Sequence, residues 1–477
     1  MREIDISGFF WIADNENIKI RGKLTALQGK KISLTLEGSF TNSENSKGLS
    51  FNNPILKRYD CILGETAEGD KFTLIKCFEN GNNKKFKLID GEYREYNTSH
   101  FTAEKLIAGG HFNSLNDLKF SEITFRYSNL ENWVNANNFT WDFGKNDENL
   151  YTIKYGFEPY KPATLIDGTS IKIETWSPSF RSEIAQSEIN LVERDFISIS
   201  AEEELPLEKL LEKLYIMEFF LTLCIGNSQN LIEVFLYTKE EEPQTSYRGS
   251  KDLELIIPMK LKDVKPLKYH DMLIDFQQIK DDFTTIMENW HDKYEKLKDI
   301  WDLFFAIHLQ SDMYLQPKFV LLTQLLESYH RRVYDIDRTA QKEERDRVIM
   351  SQTNEEIKKY LKQKLEHAHE PSFKERYNDL FSKCKGLNNI LRYQMAMDKE
   401  TFLSYVATSR NYYTHYDEKL KKKVPNTNIL YYVTEKLKLL VYYFIFSELG
   451  FSDVNILEML DKKFGLIRNA NLVKDVE

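Results

Sequence analysis

The rhythm of hydrophobic and polar positions changes near residue 270. Before that point it has a period of two. Ile32, Leu34 and Leu36 alternate with Lys31, Ser33 and Thr35, and Ile18, Ile20 and Leu24 share one parity. The same beat returns at Phe72–Leu74, Ile123–Phe125, Ile171–Ile173 and Ile197–Ile199, the signature of half-buried strands. Gly22, Gly29, Gly38, Gly64, Gly69, Gly91 and Gly168 punctuate these runs as turn or bulge residues. Short strands at this spacing predict an antiparallel sandwich or distorted barrel. One helix interrupts them, with Pro206 near its first turn, Leu210, Leu211, Leu214, Met217 and Phe220 as its apolar face, and Gly226 at its end. Strand-like runs resume at Leu231–Tyr237 and Leu253–Met259.

Beyond residue 270 the apolar positions recur at helical spacing. Ile279, Phe283, Ile286 and Trp290 mark a first face, and Phe319, Leu322, Leu325, Leu326 and Tyr329 a second, begun after Pro317. A charged connector follows from Arg331 to Arg347. Ile357, Leu361 and Leu365 mark a third helix, stopped by Pro371. Phe373 to Cys384 is a fourth, with Gly386 as its end. Asp398 is the expected N-cap of a fifth carrying Phe402 and Val406. Ile429–Leu449 and Val454–Leu460 complete the series. The fold class predicted is α+β, with a β-rich domain over residues 1–268 and a helical bundle over 269–477.

Length and charge narrow the options. A chain of 477 residues allows two or three domains, and 42% hydrophobic residues supply their cores. A net charge of −9 argues against a surface that grips nucleic acid everywhere, but leaves room for a local basic patch. The four cysteines, at 61, 77, 224 and 384, are too dispersed for a zinc site or a disulfide framework. The first residues lack the apolar run of a signal peptide, and the apolar stretch 437–449 is interrupted by Lys438, Ser447 and Glu448. The expectation is a cytoplasmic protein with no membrane partner.

Candidate chemistry concentrates in Arg410-Asn411-Tyr412-Tyr413-Thr414-His415, followed by Lys419, Lys421, Lys422 and Lys423. Arginine offers a planar fork of donors with permanent charge, and histidine moves protons near neutrality. Together they are the minimum kit for cutting RNA without a metal. Arginine and histidine at similar spacing also occur at Arg94 and His100, in a polar stretch of the β-rich half, so position must separate the two matches. On an ideal helix Asn411 and His415 share a face, whereas Arg410 lies about 140° around from His415. That geometry favours a site completed by a second subunit. His367 and His369, flanked by Glu366 and Glu370, sit at i and i+2 and point apart on a helix, so no metal site is expected there. No phosphate-loop or dinucleotide fingerprint is present, and no cofactor is expected.

Two sets of residues carry a resemblance. In the helical half they are the arginine-to-histidine stretch and the early helix Phe319–His330, an apolar stripe carrying Glu327 and then His330. This half resembles a HEPN domain, a family of helical bundles with members acting as metal-independent ribonucleases. In the β-rich half they are Gly8-Phe9-Phe10-Trp11, Gly22-Lys23-Leu24, Gly110-His111-Phe112 and Leu130-Glu131-Asn132-Trp133, in that order. They resemble the β-domain of ApeA-like anti-phage proteins.

The resemblance implies an endoribonuclease of abortive infection, with Arg410 and His415 as the catalytic pair. Asn411 would place the phosphate or orient the histidine, and a homodimer or higher homo-oligomer would complete the site. Some HEPN toxins carry a modifiable tyrosine two residues past the histidine. Here Asp417 stands there and Tyr416 comes one residue early. The lysines at 419, 421, 422 and 423 would hold the RNA backbone, and Tyr412, Tyr413 and Tyr416 would stack on unpaired bases. Glu327 and His330 are either supports of the site or an ordinary salt-bridged helix surface. A tRNA loop is the substrate that family analogy suggests. The β-rich domain would act as a sensor or lock answering a phage-derived trigger. The alternative is a non-catalytic interaction protein, its β-half binding a carbohydrate or protein and its bundle dimerising. Exposure of Trp133, Trp141 or Trp176 would favour that alternative.

Overall fold

The structure, a computed structural model, describes residues 3–13, 15–27, 29–40, 57–89, 92–143, 151–176, 192–239, 253–310, 312–334, 338–367 and 369–467, with the backbone alone for 84–89, 92–96, 143 and 151. Two compact units divide the chain. One comprises residues 1–269 and 275–284, the other 270–274 and 285–477.

In the first unit the alternating segments close on themselves. The strands are β1 (Ile4–Ile12), β2 (Ile20–Ala26), β3 (Ile32–Leu36), β4 (Arg58–Glu65), β5 (Lys71–Ile89) and β6 (Glu92–Ala108). They pair antiparallel in the ring β1-β2-β3-β6-β5-β4 and back to β1. Of the two architectures expected, the distorted barrel is the one formed, and closure removes the free edges a sandwich would leave. Period-two residues Phe10, Leu24, Ile32, Leu34, Leu36, Leu74 and Leu106 fill its interior. Gly64 is required there, because a Cβ would collide with the Phe10 ring. Gly91 lies outside the described residues.

From β6 the sheet continues through β14 (Leu253–Ile256), β13 (Leu231–Tyr237), β7 (Lys119–Tyr127), β12 (Arg194–Pro206), β11 (Ser170–Trp176) and β10 (Ala163–Thr164). The short helix α1 (Leu130–Val134) and the longer α2 (Leu207–Ile225) pack beside this extension. Helix α2 starts directly after Pro206 and ends at Gly226, whose φ of 76° is left-handed. Strands β8 (Phe139–Phe143) and β9 (Tyr151–Tyr155) form a separate hairpin.

The short words that distinguish the β-rich half are packing words. Trp11 is buried edge-on against His111, whose Nε2 donates to the Gly64 carbonyl at 2.9 Å. Thr73 Oγ1 donates to the Gly110 carbonyl at 2.8 Å and accepts from the Phe112 amide at 3.0 Å. Trp133 is fully buried against Phe220 and Phe276.

The second unit is helical. Its main helices are α3 (Phe283–Lys296), α4 (Lys298–Leu309), α5 (Leu315–Val333), α6 (Thr339–Met350), α7 (Glu355–Lys364), α8 (Phe373–Lys383), α9 (Leu387–Arg392), α10 (Lys399–His415), α11 (Glu418–Lys421), α12 (Thr427–Glu448) and α13 (Asp453–Phe464). Helix α5 is central, packing on α4, α8, α10 and α12. Three details differ from the sequence expectation. Helix α4 was not anticipated: its near-continuous apolar run has no clean period and its N-cap, Leu297, gives no start signal. Part of the charged connector is the helix α6, which buries only Ile349 and so shows no apolar stripe. Gly386 precedes α9 as its N-cap rather than merely ending α8. No helix among the described residues is long and apolar enough to cross a membrane.

Helix α12 buries one cation. Lys436 is 0% exposed and its Nζ donates to the Tyr393 carbonyl at 2.6 Å. Burial lowers its pKa from 10.5 to about 8. The unfolded chain therefore holds more protons between pH 8 and 10.5, and this residue makes stability rise with pH across that window. The Tyr393 carbonyl also accepts from the Met395 amide, so it keeps a partner if the lysine is lost. Lys436→Met, close in volume, should be more stable than the parent at pH 7, by at most about 3 kcal/mol. The gap should narrow from pH 8 upward in thermal melts. A pH-independent difference would contradict this account.

Candidate functional site

The arginine-histidine segment occupies the last two turns of α10. Asp398 caps the helix as expected, accepting from the Thr401 amide at 2.9 Å. Phe402, Leu403, Val406 and Ser409 form its buried stripe. That stripe sets the direction of the next residues. Arg410 falls at the rim, while Asn411, Thr414 and His415 are exposed. The helix ends at His415 because Tyr416 turns left-handed, with φ 52°. Asp417 then caps α11, accepting from the Lys419 amide at 3.0 Å.

Arg410 is held from three sides. Its Nη2 donates to Glu327 Oε2 of α5 at 3.3 Å, and its Nη1 donates to Asn411 Oδ1 at 3.3 Å. The guanidinium carbon lies 5.6 Å from the Phe373 ring centre, a cation–π distance. The Arg410 side chain remains 32% exposed. One edge of the fork is thus anchored and the group still meets solvent.

Glu327 links this arginine to a wider charged network. Its other oxygen accepts from Arg331 Nη2 at 3.2 Å, and Arg331 Nη1 donates to Glu370 at 3.2 Å. Arg376 of α8 is 3.7 Å from the same Glu370 carboxylate and donates to His330 Nδ1 at 3.3 Å. His330 is 1% exposed and donates from Nε2 to Asp379 at 3.0 Å. A guanidinium has only donors, so His330 Nδ1 must accept and the ring is the neutral Nε2–H tautomer. Burial lowers the His330 pKa, outweighing the raising effect of Asp379. Glu370 is held below its ordinary value first by the His367 hydrogen bond, with Arg331 and Arg376 adding to it. Tyr377, fully buried beside Thr323, has its hydroxyl pushed far up by burial, so it is a neutral donor and not a base.

The predicted residues therefore fall into two groups. Arg410, Asn411, Glu327 and His330 belong to one connected network. His415 stands at the exposed helix end, five residues on, and among the described residues its imidazole makes no hydrogen bond. Tyr412 touches both Tyr413 and Tyr416, with ring centres 5.1 and 5.7 Å apart, and Tyr416 is 66% exposed. Tyr413 instead packs edge-on against Phe319, which ties it to the bundle interior. The lysines at 419, 421, 422 and 423 are all exposed, and Lys421 pairs with Glu418 at 3.3 Å. His367 pairs with Glu370, and His369 accepts from Arg345 Nη1. No cluster of metal-binding side chains occurs among the described residues. His100 lies in β6 with Nδ1 3.2 Å from Thr35 Oγ1, while the Arg94 side chain lies outside what is described.

Sequence reasoning missed Arg331, Phe373, Arg376, Glu370 and Asp379. Arg331 was legible as the i+4 partner of Glu327. The others come from α8 or the turn before it, and their approach to α5 is a tertiary fact with no local spacing signal.

Comparison with known families adds two matches. The model described as ApeA N-terminal domain 1 matches residues 5–290, and the one described as Apea-like HEPN matches residues 320–454. No curated protein and no solved structure matches the chain.

The His330 tautomer has a measurable consequence. In NMR titration His330 should protonate below pH 6.5, and Arg376→Leu should raise its midpoint by removing a neighbouring positive charge. Because the folded pKa is the lower one, this residue stabilises the fold above pH 6.5 and loses that contribution as pH falls. A midpoint above 6.5 in the parent protein would contradict the tautomer.

Proposed function

The chain belongs to the ApeA family, a β-rich domain joined to a HEPN domain in a nuclease-type defence protein, and from that premise we propose that it cuts RNA with Arg410 and His415. One observation carries the reading. A guanidinium anchored by Glu327 but still open to solvent shares a helix with an exposed, unengaged imidazole, and exposed lysines follow directly.

RNA supplies its own nucleophile, the ribose 2′-hydroxyl. In the proposed reaction His415 takes or returns the proton, and Arg410 steadies the charge that grows on the phosphorane oxygens. The 2′-oxygen bonds to phosphorus, the bond to the 5′-oxygen breaks, and the leaving oxygen takes a proton. The products are a 2′,3′-cyclic phosphate and a 5′-hydroxyl, with no metal required. Asn411, in contact with the guanidinium, places the arginine rather than the histidine. Glu327 is a positioning residue, and His330 holds the α8 arginine beside it. Lys419, Lys422 and Lys423 grip the flanking backbone, with Lys421 more weakly committed because of Glu418. Tyr412 and Tyr416 offer faces for unpaired bases, which favours single-stranded loops such as those of tRNA.

Arg410 and His415 are five residues apart on one continuous helix, about 140° around its axis. We therefore place the working site across a homodimer, each centre taking its arginine from one copy and its histidine from the other. The β-rich domain is proposed as the element that keeps the site silent until a phage-derived trigger arrives. The protein is proposed to work in the cytoplasm.

A second reading has one observation in its favour. Trp133 is buried and Trp176 stacks on Phe196, but Trp141 is 63% exposed in a cleft of about 610 Å³ with Asn132 and Asn138. That is a plausible platform for a sugar or peptide, and it is compatible with a nuclease in the other unit.

Single-turnover cleavage of RNA tests the pair. Arg410→Ala should lose roughly 3 kcal/mol of transition-state stabilisation, and His415→Ala about two to four decades in rate, while the matching DNA survives all three proteins. Parental rates in either variant would remove the assignment. Mixing the two variants tests the twofold arrangement. Heterodimers then hold one intact centre, and random exchange should restore about a quarter of parental activity. No recovery would place each pair within one chain.

A further inference from the structure

A cavity in the β-rich unit is lined by none of the residues of the proposed nuclease. It holds about 720 Å³, the size range of small-molecule sites. Lys30, Lys31, Arg58 and Lys260 line it and are exposed, and among the described residues none of the four has an ion-pair partner. Elsewhere in this unit Lys23, Lys105, Lys172, Lys213 and Lys262 each pair with a carboxylate. Cations brought together without counterions repel one another, and such a cluster concentrates positive potential in a concave wall.

A second observation falls in the same wall. Lys76, inside β5, has φ 50°, a left-handed conformation that a lysine in a strand rarely adopts. Around it both ladders keep their register, with Tyr59 opposite Cys77 and Cys61 opposite Ile75, and with Ala103 opposite Cys77 and Lys105 opposite Ile75, so the left-handed turn is confined to Lys76. Its Nζ lies 3.6 Å from Glu104 and 3.5 Å from Glu208, so the acidic residue Glu104 of the cavity wall is already engaged. Strain of this kind collects at ligand sites, where it fixes a wall in place. Asp60 is the other carboxylate of the lining, and among the described residues it forms no ion pair with the four cations. Tyr59 and Phe78 supply the apolar part of the lining, and the Arg58 guanidinium lies 5.7 Å from the Phe78 ring centre.

We propose that this cavity binds a small molecule of nucleotide size carrying two or more phosphate groups. Arg58 offers the planar fork that matches phosphate oxygens, and Lys30, Lys31 and Lys260 act as point charges along the phosphate chain. Gly29, with a left-handed φ of 74°, precedes Lys30 and Lys31, which lead directly into β3. The site is independent of the RNA-cleaving assignment and stands or falls without it.

Calorimetric titration of the full-length protein with ATP, inorganic tripolyphosphate and uncharged adenosine tests the proposal. ATP and tripolyphosphate should bind saturably, more weakly as salt is raised, and adenosine should not bind. ATP binding tighter than tripolyphosphate points to a nucleotide, and equal binding to a bare phosphate chain. Both outcomes support the site. Arg58→Ala/Lys260→Ala and, separately, Lys30→Ala/Lys31→Ala should each weaken binding at least about tenfold. These positions are exposed, so unchanged melting temperatures should accompany the loss. Absence of binding by both phosphate compounds overturns the proposal. So does unaltered binding in both double variants, or binding of a short RNA alone.

Discussion

The ion pair between Arg410 of α10 and Glu327 of α5 is the contact on which the functional reading of the helical unit depends. An arginine at a helix rim has many rotamers, and an untethered one would have to be ordered at each turnover. Glu327 removes that freedom while Asn411 and Phe373 occupy the other sides. Glu327 is itself held by Arg331, so the carboxylate does not swing with its partner. Four cations (Arg410, Arg331, Arg376 and Lys383) and three carboxylates (Glu327, Glu370 and Asp379) interlock across α5, α8 and α10. Such networks act as units, and losing one member leaves another charge uncompensated.

Around this network the bundle provides rigidity and the helix end provides access. The apolar stripe of α10 ends at Ser409, and the left-handed turn at Tyr416 stops the helix at His415. The histidine is thus fixed in position along the axis but left open to solvent, which suits the proton exchange proposed for it. The β-rich unit obeys a different logic. Ring closure uses up the strand edges of the barrel, and the recognition proposed for this unit falls to its cavities and to Trp141 rather than to free backbone.

What was legible in the sequence followed local rules. Alternation at Ile32–Leu36 gave strands, and the N-cap Asp398 and the left-handed Gly226 marked helix ends. The α+β class and the family followed from such signals read in order. The barrel's closure was not legible, because the β3–β6 pairing joins Ile32 to Ala103 across some seventy residues. Helix α4 hid in an apolar run without period, and α6 hid because it buries almost nothing. At the site, Arg410, Asn411 and His415 could be named from their pattern, and Glu327 and His330 from the likeness of their helix to an early HEPN helix. Arg376 and Asp379 could not, since only packing brings α8 to His330. The free cations of the β-rich cavity are likewise spread over Lys30 to Lys260 and become a group only in three dimensions.

The most direct test of the account is the chemistry of the ends it leaves. Purified parent and His415→Ala protein are incubated with total cellular RNA in the presence of a chelator, and every new terminus is mapped and typed. The account predicts 2′,3′-cyclic phosphates opposite 5′-hydroxyls in single-stranded loops for the parent, and none for the variant. Ends bearing 5′-phosphate, cleavage abolished by the chelator, or identical products from both proteins would contradict it.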